Sequence, residues 1–235
     1  MMSNSFKVPM PVNEPIKDYE PNSDDKRSLI GKINELSSST VEIPIIIDGK
    51  EIKTGNTGNC IKPYNHSHIL GTYHKAGETE VKMAIDSSLD AWNDWSQTSF
   101  EYRAKIFLKM AELLAGPYRD TINASTMLNM SKNVYQAEID AACELIDFWN
   151  FNCWYAQEIH SQQPMYSPEG IKNQTEHRPL EGFVFAVTPF NFTSIAANLP
   201  SAPALMGNTA IWKPASSTVY PAYFLMKLFK EAGLP

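Results

Sequence analysis

Positive charge is nowhere concentrated in this chain. Lysine and arginine together number 20 against 26 acids, the net charge is −6, and no basic run occurs. That leaves no phosphate-tracking groove, so nucleic acid is not an expected partner. Cysteine is scarce. Cys60, Cys143 and Cys153 are odd in number and irregularly spaced, which suits neither a disulfide frame nor a zinc knuckle and points to a reducing compartment. Charge of either sign is missing from Gly182 to Trp212. That stretch has the length of a membrane span, but Pro189, Pro200, Pro203 and the scattered asparagines and threonines break it. It reads as buried core, with no membrane partner. The first residues lack a positive-then-apolar signal pattern, and no arginine precedes Arg27, so neither a secretory leader nor a transit peptide is evident. A Gly-x-Gly-x-x-Gly fingerprint is also absent.

Hydrophobic residues at 43% and five tryptophans suffice for a core, and 235 residues make one domain or a domain and a half. Residues 1–40 read as an extension. Pro9, Pro11, Pro15 and Pro21 predict an extended, poorly ordered stretch, and Leu29, Ile30, Ile33 and Leu36 a short helix ended by Ser37–Thr40. Asp48-Gly49 between Ile43–Ile47 and Lys50–Lys53 predicts a hairpin on a type I′ turn. His66 and His68 read as a surface loop rather than a metal pair, and His74, His160 and His177 as isolated. Thr79 is a candidate cap for a helix with Val81, Ala84, Ile85, Leu89 and Trp92 on its apolar face. Ser99 is a candidate cap for the next, with Ile106, Phe107, Met110, Leu113 and Leu114 inward, and Pro117 opens another. Asn133 to about His160 holds no glycine or proline and predicts the longest helix. Glu138, Asp140, Glu144 and Asp147 on it read as a solvated acidic face, with Glu144, beside Cys143 and Leu145, the exception to watch.

The chemistry gathers near the C-terminus. Phe183–Val187 is a short β-branched and aromatic run, predicted to be a buried strand that Thr188-Pro189 ends. Thr209–Trp212 is a second such run, and the small apolar segment between them predicts strand, helix, strand: an α/β fold. In such folds ligands bind at the carboxyl edge of the strands, where Asn191 lies. Two readings of Asn191 stay open: its amide donates to a developing oxyanion, or it bonds its own turn. Thr218 is a candidate cap for a last helix from Tyr220 to Ala232, with Gly233 just past its end.

Thr188-Pro-Phe-Asn-Phe-Thr193, Pro203-Ala-Leu-Met-Gly-Asn208 and Trp212-Lys-Pro214 together resemble the aldehyde dehydrogenase superfamily. Gln136-Ala-Glu-Ile-Asp-Ala-Ala-Cys-Glu-Leu-Ile-Asp147, with Asn13-Glu-Pro15, Ile106-Phe-Leu108 and Leu180-Glu-Gly-Phe183, resembles its branch that oxidises L-glutamate γ-semialdehyde to L-glutamate in proline catabolism. The resemblance implies an incomplete Rossmann-like coenzyme-binding domain over residues 41–235, an N-terminal helical region, a β-arm at 161–180 that builds a homo-oligomer, and an absent catalytic domain. It implies that Asn191 stabilises the oxyanion, that Thr188 and Lys213 meet NAD, and that Phe192 faces the aldehyde substrate. Glu144 would meet the substrate's amino-acid end. Ser216 stands where many NAD-specific members carry a glutamate, which leaves NADP open. The nucleophile and general base would lie beyond Pro235, so the 235 residues alone would be inactive. The compartment implied is the mitochondrial matrix, with the cytoplasm as alternative. Another aldehyde dehydrogenase, or a short form that binds coenzyme or a partner without catalysis, are the rival readings.

Overall fold

The computed structural model describes residues 6–235; the first five residues of the predicted extension lie outside that range. Helix α1 (Asp24–Ser38) follows an extended segment, and Ser23 caps it by accepting the Lys26 N–H at 3.2 Å. Leu29 and Leu36 are buried while Ile30 is exposed. Strands β1 (Val41–Ile43), β2 (Ile45–Ile47) and β3 (Lys50–Ile52) come next, and β2 and β3 pair as the predicted hairpin. Asp48 and Gly49 both take positive φ, 53° and 66°, as a type I′ turn requires. Strands β4 (Thr57–Lys62) and β5 (Asn65–His74) are antiparallel, and β1 lies parallel to β5 on its other side. β5 therefore begins earlier than predicted, and His66 and His68 lie in a strand rather than a loop. His68 Nε2 lies 2.9 Å from the Ser37 carbonyl, and the nearly buried Lys62 ammonium donates to the Ser37 hydroxyl, so two side chains meet the end of α1.

Helix α2 (Glu78–Trp95) is capped by Gly77 rather than Thr79, because Glu80 reaches back to accept the Gly77 N–H at 2.7 Å. Its apolar stripe is largely uncovered: Val81 is 51% exposed and Leu89 44%. Helix α3 (Phe100–Ala115) starts at Ser99 as predicted, and its five inward positions are all buried. Helix α4 begins only at Arg119 (Arg119–Met130), and Pro117 sits in the turn before it.

The predicted long helix is not a uniform α-helix. It runs α5 (Val134–Ala137), a π-helical turn (Glu138–Cys143), then α6 (Glu144–Ser161). The π-turn inserts a residue, so the Glu144 N–H reaches back to the Ile139 carbonyl and the helix faces shift. Residues 162–180 form no strand; Gln163 and Thr175 hydrogen-bond each other across this exposed segment. Strands β6 (Phe183–Val187) and β7 (Thr209–Lys213) are parallel, joined by α7 (Thr193–Leu205). β6 is not the buried strand predicted: only Ala186 in it is buried, while Phe185 is 59% and Val187 57% exposed, because β7 is its one strand partner among the described residues. Gly207, at φ 89°, turns the chain from α7 into β7 with Pro179 packed against it. Helix α8 (Val219–Ala232) follows a 3₁₀ turn at Ser216–Thr218, and Thr218 makes no side-chain cap. Gly233 ends α8 at φ 95° as expected. The core gathers where α3, α4, α6, α7 and α8 meet, around Trp149, Tyr220, Phe107, Met110 and Leu225.

The acidic residues of the long helix do not form a solvated face. Glu138 is 0% exposed. It accepts from Arg119, from Tyr19 Oη at 2.7 Å, from Asn123 Nδ2 at 2.7 Å and from the Lys17 N–H at 2.9 Å. Asp140 pairs with Lys132 at 2.6 Å. Asp147 accepts from Asn13 Nδ2 and from the Glu14 N–H, both at 2.7 Å. Further on, Gln157 accepts the Val8 N–H at 2.7 Å. The proline-rich segment, predicted to be poorly ordered alone, is thus strapped along the helix at three levels. The prolines keep it extended, and the helix supplies the partners its backbone lacks.

Burial pushes the Glu138 carboxyl up, but the hydrogen bonds from Arg119, Lys17 and Tyr19 outweigh it and hold the group below the usual carboxylate range. A depressed folded value means the ionised pair stabilises the fold above the ordinary carboxylate value, and that contribution is lost as pH falls through the folded one. Glu138→Ala takes the acceptor from Tyr19 and Asn123 and leaves Glu14 as the one carboxylate paired with buried Arg119 among the described residues, and urea denaturation should show a loss of about 3–5 kcal/mol. The variant should also lose the acid-side fall in stability that Glu138 contributes to the parent. A loss under about 1 kcal/mol would mean that the charges relax into water.

Candidate active site

The carboxyl edge of β6 and β7 organises the site. Val187 lies opposite Lys213 in register, and the Thr188 N–H extends the ladder to the Lys213 carbonyl at 3.2 Å. Thr188 is buried, and its Oγ1 accepts the Trp212 indole N–H at 2.9 Å, which leaves the hydroxyl proton free to donate elsewhere. The chain then leaves the sheet at Pro189. Lys213 is exposed, and among the described residues its Nζ meets only the neighbouring Pro214 carbonyl, at 3.4 Å. Ser216 is exposed at the head of the 3₁₀ turn. The three sequence-predicted coenzyme residues therefore sit at or just past the ends of two adjacent strands.

Of the other three candidates, Asn191 and Phe192 precede α7 directly and Glu144 begins α6. Asn191 is exposed, and among the described residues its amide has no hydrogen-bond partner. The reading in which it bonds its own turn fails. Phe192 is the extended N-cap residue (φ −136°, ψ 115°), and the Lys132 ammonium lies 4.8 Å from its ring centre. Lys132 is in turn fixed by Asp140. Thr193 and Thr126 share a buried hydroxyl pair at 2.8 Å that ties this turn to α4. Glu144, the first residue past the π-turn, is half-buried and accepts from the Ser194 hydroxyl. The turn that carries Asn191 and the helix that carries Glu144 are thus joined side chain to side chain.

Sequence reasoning missed Ser194, Lys132 and the Thr126–Thr193 pair. Their partners lie 50, 60 or more residues away along the chain or in a face register that the π-turn shifts. Ser194 alone carried a signal, as a polar residue in an apolar segment. Among the described residues no three His, Cys, Asp or Glu side chains are grouped to hold a metal, and no helix is long and apolar enough to cross a membrane. His74 is a structural pin: its Nδ1 accepts the Thr54 and Gly55 N–H groups at 3.2 Å each, and Nε2 lies 3.0 Å from Glu42. His160 and His177 are not isolated, with ring centres 5.1 Å apart.

Comparison with known proteins places these features. The family model described as "Aldehyde dehydrogenase family" matches residues 51–235. The probable delta-1-pyrroline-5-carboxylate dehydrogenase of Schizosaccharomyces pombe is 46% identical over 231 residues, 98% of this chain and 42% of that protein. The mitochondrial delta-1-pyrroline-5-carboxylate dehydrogenase of Homo sapiens is 40% identical over 233 residues, 99% of this chain and 41% of that protein. The chain spans about two-fifths of the length of these curated relatives. The crystal structure of the Mycobacterium tuberculosis delta-pyrroline-5-carboxylate dehydrogenase bound with NAD superposes with a TM-score of 0.96 at 46% identity, covering 100% of this chain and 44% of that one.

None of the three thiols is available for chemistry. Cys60, Cys143 and Cys153 are buried, and burial pushes each up to about 12. In Cys143 the nearby Glu138 carboxylate adds to that rise. An aromatic disulfide reagent should therefore titrate less than one thiol per native chain and all three once the chain is unfolded. Rapid labelling of a native thiol would contradict the buried assignment.

Proposed function

Because this chain belongs to the aldehyde dehydrogenase family, we propose that it forms the N-terminal part of a delta-1-pyrroline-5-carboxylate dehydrogenase. The whole enzyme would oxidise L-glutamate γ-semialdehyde to L-glutamate with NAD. The observation that carries this reading is 46% identity, over 98% of the chain, to a relative named for that activity. Four further relatives at 40–45% identity carry the same name.

The local chemistry agrees. Aldehyde oxidation by a thiolate passes through a tetrahedral oxyanion, and the partner-free Asn191 amide is a donor free to meet it. Glu144 offers a carboxylate to the substrate's α-ammonium group, and Phe192 gives the adjoining apolar wall. The residues at the sheet edge fit a dinucleotide: the exposed Lys213 ammonium holds only a long bond to the Pro214 carbonyl among the described residues and keeps donors for ribose hydroxyls, and Thr188 has a hydroxyl proton to give. When bound, NAD supplies the hydride acceptor. Ser216 is neutral, so it would not repel the 2′-phosphate of NADP. With all three cysteines buried, the nucleophile and the general base come from residues outside these 235. The exposed 161–180 segment, with Met165, Tyr166 and Ile171 outward, is the part we assign to homo-oligomer contacts. Six relatives are named mitochondrial, which supports the mitochondrion over the cytoplasm.

The test is turnover by the full-length gene product, followed as NADH formation. It should oxidise L-glutamate γ-semialdehyde in preference to simple aldehydes, and Asn191→Ala should lower kcat by about 10²–10³-fold. The 235 residues alone should show no turnover. Preference for another aldehyde would overturn the substrate; an unaffected Asn191→Ala would overturn the oxyanion role.

A further inference from the structure

Ser194 is fully buried in the first turn of α7, and its hydroxyl donates to Oε2 of Glu144 on α6. A helical serine commonly returns its hydroxyl to a carbonyl of the preceding turn. Ser201, later in the same helix, does so to the Asn198 carbonyl at 3.3 Å, and Ser125 in α4 to the Ile122 carbonyl at 3.0 Å. Ser194 has no helical turn before it, because the chain enters α7 through the extended Phe192. Its proton crosses between helices instead. Glu144 Oε1 accepts no hydrogen bond from the described residues, so one carboxylate oxygen is held and the other is unengaged. No side chain caps the N-terminus of α7, and an anion held there meets favourable backbone dipoles.

We propose that Ser194 is a positioning residue that fixes Glu144 so that its unengaged oxygen is presented to the α-ammonium group of the substrate. The inference rests on the reading of Glu144 given above. A glutamate side chain has several rotatable bonds, and ordering them on binding lowers affinity. A buried donor that orders them beforehand removes that cost, and only for a ligand that needs the carboxylate. Ser194 therefore acts on selection for an amino group and not on the oxidation step.

The test compares the full-length parent with Ser194→Ala, Ser194→Thr and Glu144→Gln, on L-glutamate γ-semialdehyde and on the corresponding γ-oxo acid without the amino group. Thermal melts confirm that each variant folds. For the amino substrate, Ser194→Ala should raise KM about fivefold to tenfold with kcat within about twofold. For the amino-free substrate KM should not move. Ser194→Thr, which keeps a hydroxyl, should restore most of the loss. An unchanged KM in Ser194→Ala, with Glu144→Gln clearly impaired, would overturn this inference and leave the function standing. An equal rise in KM for both substrates would also overturn it, since a packing defect acts on both. A parent without activity on the amino substrate would overturn the function and this inference with it.

Discussion

A carboxylate taken wholly out of water must find partners for its charge, and Glu138 is the one acid among the described residues so placed. Its partners come from two separate stretches: Tyr19 and Lys17 from the N-terminal segment, Arg119 and Asn123 from α4. Arg119 then reaches the Pro15 carbonyl at 2.8 Å and the Glu14 carboxylate. Each group satisfies another that would otherwise be buried and unpaired, so no member can leave alone without cost. This is why a proline-rich stretch with little hydrophobic content lies down in one register. Glu138 is also the first residue of the π-turn.

The π-turn carries that constraint towards the site. Six residues after Glu138, past the inserted residue, Glu144 emerges on the side that meets α7. Asp140 emerges against Lys132, which lies over Phe192. The start of α7 is therefore held from α4 through Thr126, from the π-turn through Lys132 and from α6 through Glu144. Within that frame the Asn191 amide has no partner among the described residues. The oxyanion role proposed for it is served by such a donor, since nothing competes for it and a rigid surround keeps it aimed.

Features set by a few neighbouring residues were legible in the sequence. Asp48-Gly49 selects its turn by backbone sterics alone, Ser99 caps by its own hydroxyl, and Gly233 takes the left-handed conformation that ends α8. The strand–helix–strand unit of β6, α7 and β7 followed from the switch between apolar runs and punctuation. Features decided at a distance were not legible. Thr79 looks like the cap of α2 until the reach of Glu80 to the Gly77 N–H places the helix start two residues earlier. The acids of the π-turn and α6 look like a solvated face because their cations and N–H donors lie elsewhere in the chain. Their helical period misleads by one residue once the π-turn intervenes. For α2 the pattern misleads: Val81 and Leu89 of the expected apolar face are exposed, and the buried residue of the helix is Trp95, outside that stripe. At the site, the motifs located Thr188, Asn191, Phe192, Lys213 and Ser216 on one sheet edge and its following turn, whereas the Ser194–Glu144 bond needed the fold.

The central claim is that these residues are the coenzyme-side part of a larger enzyme whose nucleophile lies elsewhere. Sequencing the transcript past the codon for Pro235 tests it most directly. The account predicts an open frame that runs on to a cysteine and a carboxylate base in the family's sequence context. A stop codon directly after Pro235 would contradict it, leaving a chain whose thiols are all buried and whose oxyanion donor has no reaction to serve.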